Sequence, residues 1–451
     1  MPWLFLLVAQ LYNIPASATR RQQGSGMILR ILTGIAALAM LAGAPAAAQR
    51  RYVHAGHLVD VLAGKTLDDQ LIAIDGERIA SVGPWRGAPK DGPVTDWSAL
   101  TVLPGLIDMH THLADFADEN VATPLLHDRA ETVLNGARNA RTTLMAGFTT
   151  VHDVGAYRGL SDVALRDAIN AGWVPGPRMN VVGAYITVPG GGGDINGLAP
   201  DVQIPSDMRL GVVRSPEEAR EKVRYLYQHR VDTTKLIATG AVLAVGTEPG
   251  RQELTEAEMR AAVEEAAENG GYATAHAHGA EGIKAAIRAG VRSIEHASLI
   301  DGDGIALAKT KGIWLVMDIY NGDYIDEVGA TEGWPAEYLR KNRETTLAQR
   351  QGFRAAVQAG VKIAFGTDAG VYPHGLNARQ FKYMVQWGMT PMQAVQAATS
   401  VAAELLRWNK NVGAVAPGRF ADMVAVKGDP LKDIAVLEKV EHVMKGGEDV
   451  K

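Results

Sequence analysis

Eight short apolar runs alternate with helical stretches through the centre of the chain, and this alternation most constrains the fold. Strands separated by helices favour parallel pairing through crossover connections. Eight such units predict an α/β fold, a closed (β/α)8 TIM barrel of roughly 250 residues. A doubly wound open sheet is the alternative, but no Gly-rich dinucleotide fingerprint follows any run. The runs cover 101–109, 148–154, 178–186, 233–239, 272–278, 292–298, 313–319 and 362–368.

Three of the helical stretches have clear start signals. Ser215, Thr255 and Thr390 each stand where an N-cap is expected, with Glu or Gln three residues later. This spacing is typical of a capping box. Proline follows Ser215 and Thr390, at the first helical position, where its missing N–H costs nothing. The pattern predicts helices that begin directly after these residues.

Both ends of the chain are rich in short strands. Residues 71–74 and 79–82 read as a hairpin around a turn at Asp75-Gly76-Glu77, and 422–426 and 440–444 read as two more strands. We therefore predict one small β-sandwich built by both ends. Its two parts are residues 49–103 and 413–451, and the barrel occupies 104–412.

The first 48 residues read as a leader. Met27-Ile28-Leu29-Arg30 opens a basic region, an apolar run extends from Ile31 to Leu41, and Ala46-Ala47-Ala48 supplies small residues for cleavage. This is the pattern of a secretory signal peptide, too short for a membrane span. Residues 1–26 read as an upstream extension. We predict a periplasmic or secreted protein that starts near Gln49 and has no stable membrane anchor after cleavage.

Composition narrows the chemistry. Cysteine is absent, which excludes disulfides, thiolate metal sites and a Cys nucleophile. Three of the 45 Lys and Arg residues lie in the leader, which contains none of the 50 acidic residues. The remaining chain is weakly acidic and has no basic clusters, which argues against nucleic acid as a partner.

Histidines and one aspartate recur where the predicted strands end. In a barrel of this kind the chemistry lies at the carboxyl ends of the strands. His110 and His112 are two residues apart, so they leave a strand on the same face and can share one divalent cation. The other ligand types at strand ends are Lys235, His276, His278, His296 and Asp368.

Lys235 lies inside an apolar run, where a bare ammonium group is costly. It could be paired with a buried acid. Alternatively, carbon dioxide could carbamylate its amine, which would give an anion with two oxygens able to bridge two metals.

These motifs resemble the amidohydrolase superfamily across essentially the whole chain after the leader. The matching stretches are 104–112, Lys235, His276, His296, Gly366-Thr367-Asp368-Ala369 and the closing residues 413–422 and 429–431. The resemblance implies that His110, His112 and Asp368 hold one metal and that His276 and His296 hold the other. Lys235, carboxylated, would bridge two divalent ions, with zinc the expected metal. Several stretches are similar to bacterial dipeptidases that remove C-terminal Arg or Lys and to ochratoxin-hydrolysing amidases, which are often oligomers.

The resemblance also implies a reaction. A hydroxide held between the metals would attack an amide carbonyl, and Asp368 would pass its proton to the leaving amine. Small carboxylate-bearing substrates, either dipeptides or N-acyl amino acids, are expected. We assign Lys235, His278 and Asp368 to catalysis, although Asp368 could act as a metal ligand alone.

Substrate contacts are predicted for His152, Tyr320, Val242, Leu243 and His278, each with a structural role as the alternative. The chain departs from its relatives after the third run, where their Gly-Gly-His-x-Asp is Gly190-Gly191-Gly192-Gly193-Asp194 here. The loop 241–245 is apolar, which would suit an aromatic or aliphatic substrate and makes ochratoxin A the main rival. A cyclic-amide hydrolase of the imidazolonepropionase type and a non-catalytic metal- or peptide-binding barrel are two further hypotheses. Lys235 and the complete ligand set argue against both.

Overall fold

A computed structural model describes residues 50–116 and 122–451, so the predicted leader lies outside the described residues. The strands in these ranges are β1 (Arg51–Asp60), β2 (Lys65–Asp75), β3 (Arg78–Pro84), β4 (Val94–Pro104), β5 (Leu106–Thr111), β6 (Phe148–Asp153), β7 (Arg178–Val181), β8 (Tyr185–Ile186), β9 (Thr234–Ile237), β10 (Ala273–Gly279), β11 (Ser293–Leu299), β12 (Trp314–Val316), β13 (Ile363–Ala364), β14 (Met423–Val426), β15 (Val440–Lys445) and β16 (Glu448–Asp449).

The helices surround the central strands. They are α1 (Thr123–Leu126), α2 (Arg129–Met145), α3 (Ser161–Asn170), α4 (Pro216–Gln228), α5 (Glu256–Glu268), α6 (Ala280–Ala289), α7 (Gly302–Lys311), α8 (Asn321–Glu332), α9 (Ala336–Ala359), α10 (Gln380–Gln386), α11 (Pro391–Ala397) and α12 (Ser400–Leu405). Short 3-10 turns cover Ser206–Arg209, Asn377–Arg379 and Ile434–Glu438. No helix in the described ranges combines the length and the apolar character needed to cross a bilayer.

The central strands form a barrel of parallel strands. β5, β6 and β7 are neighbours in one sheet, and β8 to β13 follow in chain order in another. The Thr233 amide donates to Val181 O at 3.2 Å, which joins β7 to the segment before β9. The Asp368 amide donates to His110 O at 2.8 Å, which joins the end of β13 to β5. These links close the ring and confirm the predicted (β/α)8 barrel.

Strand alternation separates the core from the barrel interior. Leu236, Ala275, Ile294 and Leu315 are fully buried in the apolar core that contains the helix faces. On each strand, the residue next to this core residue points the other way, because successive side chains of a strand leave on opposite faces. Lys235 and His276 are therefore directed into the barrel interior, where the chemistry of this fold is found.

The two ends of the chain meet in one seven-stranded sheet of order β16-β15-β14-β4-β1-β2-β3. β2 and β3 pair as the predicted hairpin, and β14 and β15 are the strands predicted near the carboxyl terminus. A second apolar core around Trp97 and Val53 packs within this part of the molecule. The predicted β-domain built from both ends is confirmed.

Two predicted strands are each divided by a glycine. The run 101–109 is wrong as a single strand, because Thr101–Pro104 belongs to β4 of the end sheet and β5 begins at Leu106. A Cβ on Gly105 would lie 2.0 Å from Thr149 Oγ1, so the close approach requires glycine. The run 178–186 is interrupted at Gly183, which has a φ of +79°.

The predicted helix starts are confirmed at all three positions. Thr255 and Thr390 form complete capping boxes with Glu258 and Gln393. Ser215 caps its helix by accepting from the Glu218 amide at 3.2 Å. The Glu218 carboxylate, however, accepts from the Arg214 amide instead of the Ser215 amide, so this cap is not the predicted reciprocal box.

Candidate metal centre and active site

One group of potential ligands joins β5 to the segment after β13. Nε2 of His110 lies 3.3 Å from Asp368 Oδ1, and Nε2 of His112 lies 3.2 Å from the same oxygen. Two imidazole nitrogens and a carboxylate oxygen thus surround one point. Imidazole and carboxylate together suit zinc and similar divalent ions.

A second group adjoins the first. The ligand atoms of His276, His278 and His296 all lie within 4.8 Å of one another, and the three side chains are buried. His276 and His278 leave the same face of β10, and His296 comes from β11. The atoms of His110, His296 and Asp368 are also within 4.8 Å of one another. The two groups are therefore contiguous, and their donor atoms could hold a pair of cations.

Three of these imidazoles are held at one nitrogen. His110 Nδ1 donates to Glu295 at 2.9 Å, His112 Nδ1 to Gly155 O at 2.8 Å, and His296 Nδ1 to Asp318 at 2.9 Å. A histidine anchored at Nδ1 presents Nε2 as a ligand in a fixed orientation. These three rings are therefore oriented before any ion arrives.

Glu295 is the sequence neighbour of His296, and sequence reasoning missed it. Burial opposes its ionisation, but the hydrogen bond from His110 and its positive charge lower the pKa of Glu295 to about 2. Thr274 Oγ1 and Ser293 Oγ also donate to this carboxylate. Glu295 is thus a buried anion that fixes a predicted metal ligand.

The backbone explains why Glu295 and His296 both reach the barrel interior. In a flat strand, adjacent residues would point to opposite faces. His296 and Ala297 instead have φ values of +66° and +50°, and Asp368 has +57°. Such left-handed conformations in non-glycine residues are costly and concentrate at functional sites. The periodicity of the sequence carries no signal for this bend.

Lys235 extends from β9 into the same cavity as the histidines. Its side chain is buried, and its Nζ has no hydrogen-bond partner. Burial lowers the pKa of Lys235, with Glu295, Asp368 and Asp318 opposing the shift. An unpartnered buried amine beside two ligand groups fits carbamylation and metal bridging better than it fits a structural ion pair, because no acid bonds to it.

Asp368 also fits a role as a metal ligand and proton carrier. Burial opposes its ionisation, but His110 and His112 hold the pKa of Asp368 well below its usual range. Asn321 Nδ2 donates to its other oxygen at 3.2 Å. The carboxylate is therefore charged and oriented.

Two of the predicted substrate contacts do not line the cavity. His152 is fully buried, its Nε2 bonds to Thr233 Oγ1 at 2.9 Å, and burial lowers its pKa to about 3. Tyr320 accepts a hydrogen bond from Arg379 and packs against Tyr372 and Tyr383. Both side chains are turned into packing contacts, so the assignment of substrate binding to them is corrected.

Val242, Leu243 and His278, the other predicted substrate contacts, do line the cavity. The apolar loop 241–245 forms one wall. A Cβ on Gly192 would lie 3.1 Å from the Ala241 amide and from Ala241 Cβ. The loop after β9 thus lies close beside Gly192, and a side chain at this position would require that loop to shift by a few tenths of an ångström.

Sequence reasoning missed four further polar residues of the cavity wall. Asp115 and Tyr185 lie near His112, since the Tyr185 hydroxyl is 3.1 Å from His112 Nδ1 and donates to Asp115 at 3.4 Å. Asp318 lines the cavity behind His296, and Arg158 lines it after β6. Asp115 and Arg158 come shortly after predicted strand ends, and this position was the sequence signal that could have identified them as cavity residues.

Comparison with known proteins agrees with this geometry. Residues 101–450 match the profile of the amidohydrolase family. Ochratoxinase from Aspergillus niger is 31% identical over 427 residues, which cover 88% of this chain and 85% of that protein. The crystal structure of a Xaa-Pro dipeptidase with bound methionine superposes with a TM-score of 0.84 at 37% identity, covering 89% of this chain and 100% of that chain. A prolidase complexed with N-methylphosphonate-L-proline gives a TM-score of 0.83 at 30% identity, covering 89% and 99%.

Proposed function

Since this chain belongs to the amidohydrolase family and hydrolyses amide or peptide C–N bonds, we propose that it is an exported enzyme with a binuclear metal centre. Its substrates are small molecules with a free carboxylate, either dipeptides or N-acyl amino acids. The observation that carries the proposal is the contiguity of the two ligand groups, with the unpartnered Lys235 amine in the same cavity.

His110, His112 and Asp368 would hold one divalent ion, and His276 and His296 the other, with carbamylated Lys235 between them. Such ions polarise a carbonyl group and lower the pKa of water towards neutrality. Zinc is the proposed metal because all ligands are nitrogen or oxygen donors. Glu295 and Asp318 keep His110 and His296 in the orientation that leaves their Nε2 atoms available.

Asp368 moves the proton. Its carboxylate would accept a proton from the attacking water, whose oxygen bonds to the carbonyl carbon. As the C–N bond breaks, Asp368 would return that proton to the leaving nitrogen, and the products are a carboxylate and an amine. His278 lines the cavity and is held by Ser298 Oγ at 2.8 Å, a position from which its ring can contact the substrate.

The apolar loop 241–245 supports a second candidate, hydrolysis of the amide of ochratoxin A. This loop forms a wall without charged side chains beside the metal ligands. An aromatic substituent buried there would gain about 25 cal/mol for each Å² removed from water. The Aspergillus niger relative named ochratoxinase agrees with this substrate class.

A metal-depletion experiment across a substrate panel tests the proposal. The enzyme is treated with a chelator, reloaded with zinc in bicarbonate buffer and assayed on Xaa-Arg, Xaa-Lys, Xaa-Pro and Xaa-Phe dipeptides and on ochratoxin A. We expect activity to disappear on chelation and to return with zinc. Activity that survives complete removal of metal would contradict the proposed binuclear metal centre. If the protein bound these substrates but hydrolysed none of them, the proposed enzymatic function would be contradicted. Hydrolysis of a cyclic amide included in the panel, with every dipeptide and ochratoxin A left intact, would favour the imidazolonepropionase type instead.

Export is tested separately. Cell fractionation of the native host and amino-terminal sequencing should find the protein outside the cytoplasm, starting near Gln49. Retention of residues 1–48 on a cytoplasmic protein would contradict it.

A further inference from the structure

Arg158 is a cationic side chain of the cavity that the proposed chemistry does not use. It follows β6, and its side chain is 13% exposed. Within the described ranges, Arg158 and Lys235 are the basic side chains, other than histidines, that line the cavity. Because Lys235 is assigned to the metal centre, Arg158 is the cation left for an anionic part of the substrate.

The bonds of Arg158 orient its guanidinium without neutralising it. Nε donates to His127 O at 3.0 Å. Nη1 lies 3.4 and 3.5 Å from the two oxygens of Asp207, at the outer limit of hydrogen bonding. Asp207 is also 3.5 Å from Arg129 Nη2. One carboxylate is therefore shared by two guanidinium groups, and neither pair has the short, parallel geometry of a bidentate ion pair.

The part of the cavity wall that contains Arg158 is joined to the predicted metal ligand His112 by a series of ring contacts. The Tyr157 ring, next to Arg158 in sequence, packs against Tyr185 with centroids 5.6 Å apart. Tyr185 in turn packs against His112 at 6.0 Å. The Tyr157 amide donates to Asp115 at 3.2 Å, which holds the backbone before Arg158 in place. The position of Arg158 relative to His112 is thus determined by packing.

The acids of the cavity wall do not compete for Arg158. Asp115 is engaged by the Tyr157 amide and the Tyr185 hydroxyl. Asp194 accepts from Arg209 at 2.8 Å and from the Gly190 amide at 3.0 Å. Both carboxylates therefore have partners elsewhere.

We propose that Arg158 binds the free carboxylate of the substrate and so selects carboxylate-bearing amides over neutral ones. The guanidinium fork matches a carboxylate in two parallel hydrogen bonds. The apolar loop 241–245 takes an uncharged side chain of the same substrate. This inference rests on the proposed function and adds the residue that determines the substrate class.

The test compares carboxylate and carboxamide forms of one substrate. Zinc-loaded wild-type and Arg158→Met proteins are assayed on Ala-Phe and Ala-Phe-amide, and on Ala-Pro and Ala-Pro-amide. A hydrogen bond to a charged group is expected to change kcat/KM for the carboxylate form by about 10- to 100-fold. We expect that loss in Arg158→Met, mainly through KM, with the amide form changed less than about 3-fold. The ratio of the two forms does not depend on the folded fraction of a preparation.

Two further variants sharpen the test. Arg158→Lys keeps the charge but not the fork, so part of the preference should return. Arg214→Met is the matched control, because Arg214 is a 64% exposed guanidinium that pairs with Glu218 outside the cavity lining and does not contact Asp207. It should leave the ratio unchanged.

The inference is overturned if Arg158→Met keeps the wild-type ratio, or if wild type cleaves both forms equally well. Equal cleavage would leave amide hydrolysis itself intact. Failure of wild type to cleave these compounds and every substrate of the wider dipeptide and ochratoxin A panel would instead contradict the proposed function.

Discussion

Two buried lysines in this chain have opposite surroundings. Lys341 is fully buried, and its Nζ donates to Ala244 O at 2.7 Å and pairs with Glu337 at 2.5 Å. Lys235 is 2% exposed and its Nζ has no partner. A buried ammonium without a partner destabilises a fold. Lys341 therefore serves stability, whereas Lys235 requires a chemical explanation.

We expect the variants Lys235→Met and Lys341→Met to separate these roles. Lys235→Met should lose at least about 1000-fold in kcat/KM, because the proposed metal bridge is removed, while the melting temperature of the metal-free protein stays the same or rises. Lys341→Met should keep any bound metal but lose about 1–3 kcal/mol of stability, since it leaves Ala244 O without its donor and removes the ion pair with Glu337. Assays with zinc and thermal melts measure both. Full activity in Lys235→Met would refute the bridging role.

Glu295 acts through the ligand it holds. Removing a partner of this kind typically costs 10- to 100-fold in metal affinity or activity, so Glu295→Gln should weaken zinc binding by about that factor. Competition with a chromophoric chelator measures the affinity. The control is Glu265→Gln, which alters a similarly buried carboxylate of α5 that pairs with Arg224 of α4, away from the cavity. Equal zinc affinity in Glu295→Gln and wild type would contradict this role.

At the scale of elements, the loop after β9 is held by a helix distant in sequence. Lys341 and Glu337 of α9 bond to Ala244 O and to the Gly246 amide, and Arg340 pairs with Glu248 at 2.7 Å. The cavity wall formed by 241–245 is therefore tied to α9 at Ala244 O and at the Gly246 amide that follows it. A loop held in this way can discriminate between substrates, because its shape is set before binding.

The capping box of α5 provides a test at the same scale. Thr255→Ala removes the hydroxyl that caps the Glu258 amide and should cost about 1 kcal/mol of unfolding free energy. Activity at 25 °C should not change, because the cap lies outside the cavity lining. Urea unfolding measures the loss. Thr310→Ala is the control, since that hydroxyl bonds within α7 to Ala306 O; a loss as large there would contradict a capping effect.

At the scale of the whole molecule, a polar junction links the barrel to the end sheet. Asp422, just before β14, accepts two hydrogen bonds from Arg178 of β7 and one from the Gly446 amide. Lys445 of β15 donates to Gly176 O at 2.5 Å. Arg178 also stacks on Phe420 at 3.5 Å from the ring centroid. Arg178 and Asp422 are 244 positions apart in the chain, so the junction depends on both parts being folded.

The junction should make stability depend on pH. Burial, with the nearby charge of Arg178, lowers the pKa of Lys445 from 10.5 to about 8. Above pH 8 the unfolded chain binds this proton more tightly than the folded chain, so the free energy of unfolding gains a contribution that rises with pH. The cost of burying the charged Lys445 ammonium group is fully present below pH 8 and is relieved as the folded protein loses this proton. Between pH 8 and 9.5, stability relative to Lys445→Met should therefore rise in wild type.

Urea unfolding of both proteins at pH 7, 8, 9 and 9.5 measures the difference. Lys427→Met is the control, because Lys427 is 75% exposed and pairs with Glu441 at 3.2 Å. Its difference from wild type should stay constant over this range. A constant difference for Lys445→Met as well would show that Lys445 titrates normally.

The local pattern of the sequence was sufficient for the elements and for most of the proposed ligands. Alternation along β5 and β10 places His110 with His112 and His276 with His278, because two-residue spacing on a strand needs no tertiary information. The caps at Thr255 and Thr390 are equally local, since all their bonds fall within four residues. The barrel followed from the repetition of these elements.

Tertiary structure alone decided which polar residues meet. A left-handed bend at His296 brings that ring into the barrel interior beside Glu295, which bonds to His110. Arg158 becomes a cavity residue because the segments after β5 and β6 bond to each other. His152 and Tyr320 lie near the ends of predicted strands, but their side chains bond to Thr233 and Arg379 and do not line the cavity. Strand ends fix where a backbone goes, whereas the direction and partners of a side chain depend on neighbours from distant parts of the chain. Sequence spacing therefore determined the barrel and the ligand types, and only the assembled barrel determined their orientation and the residues that form the cavity wall beside them.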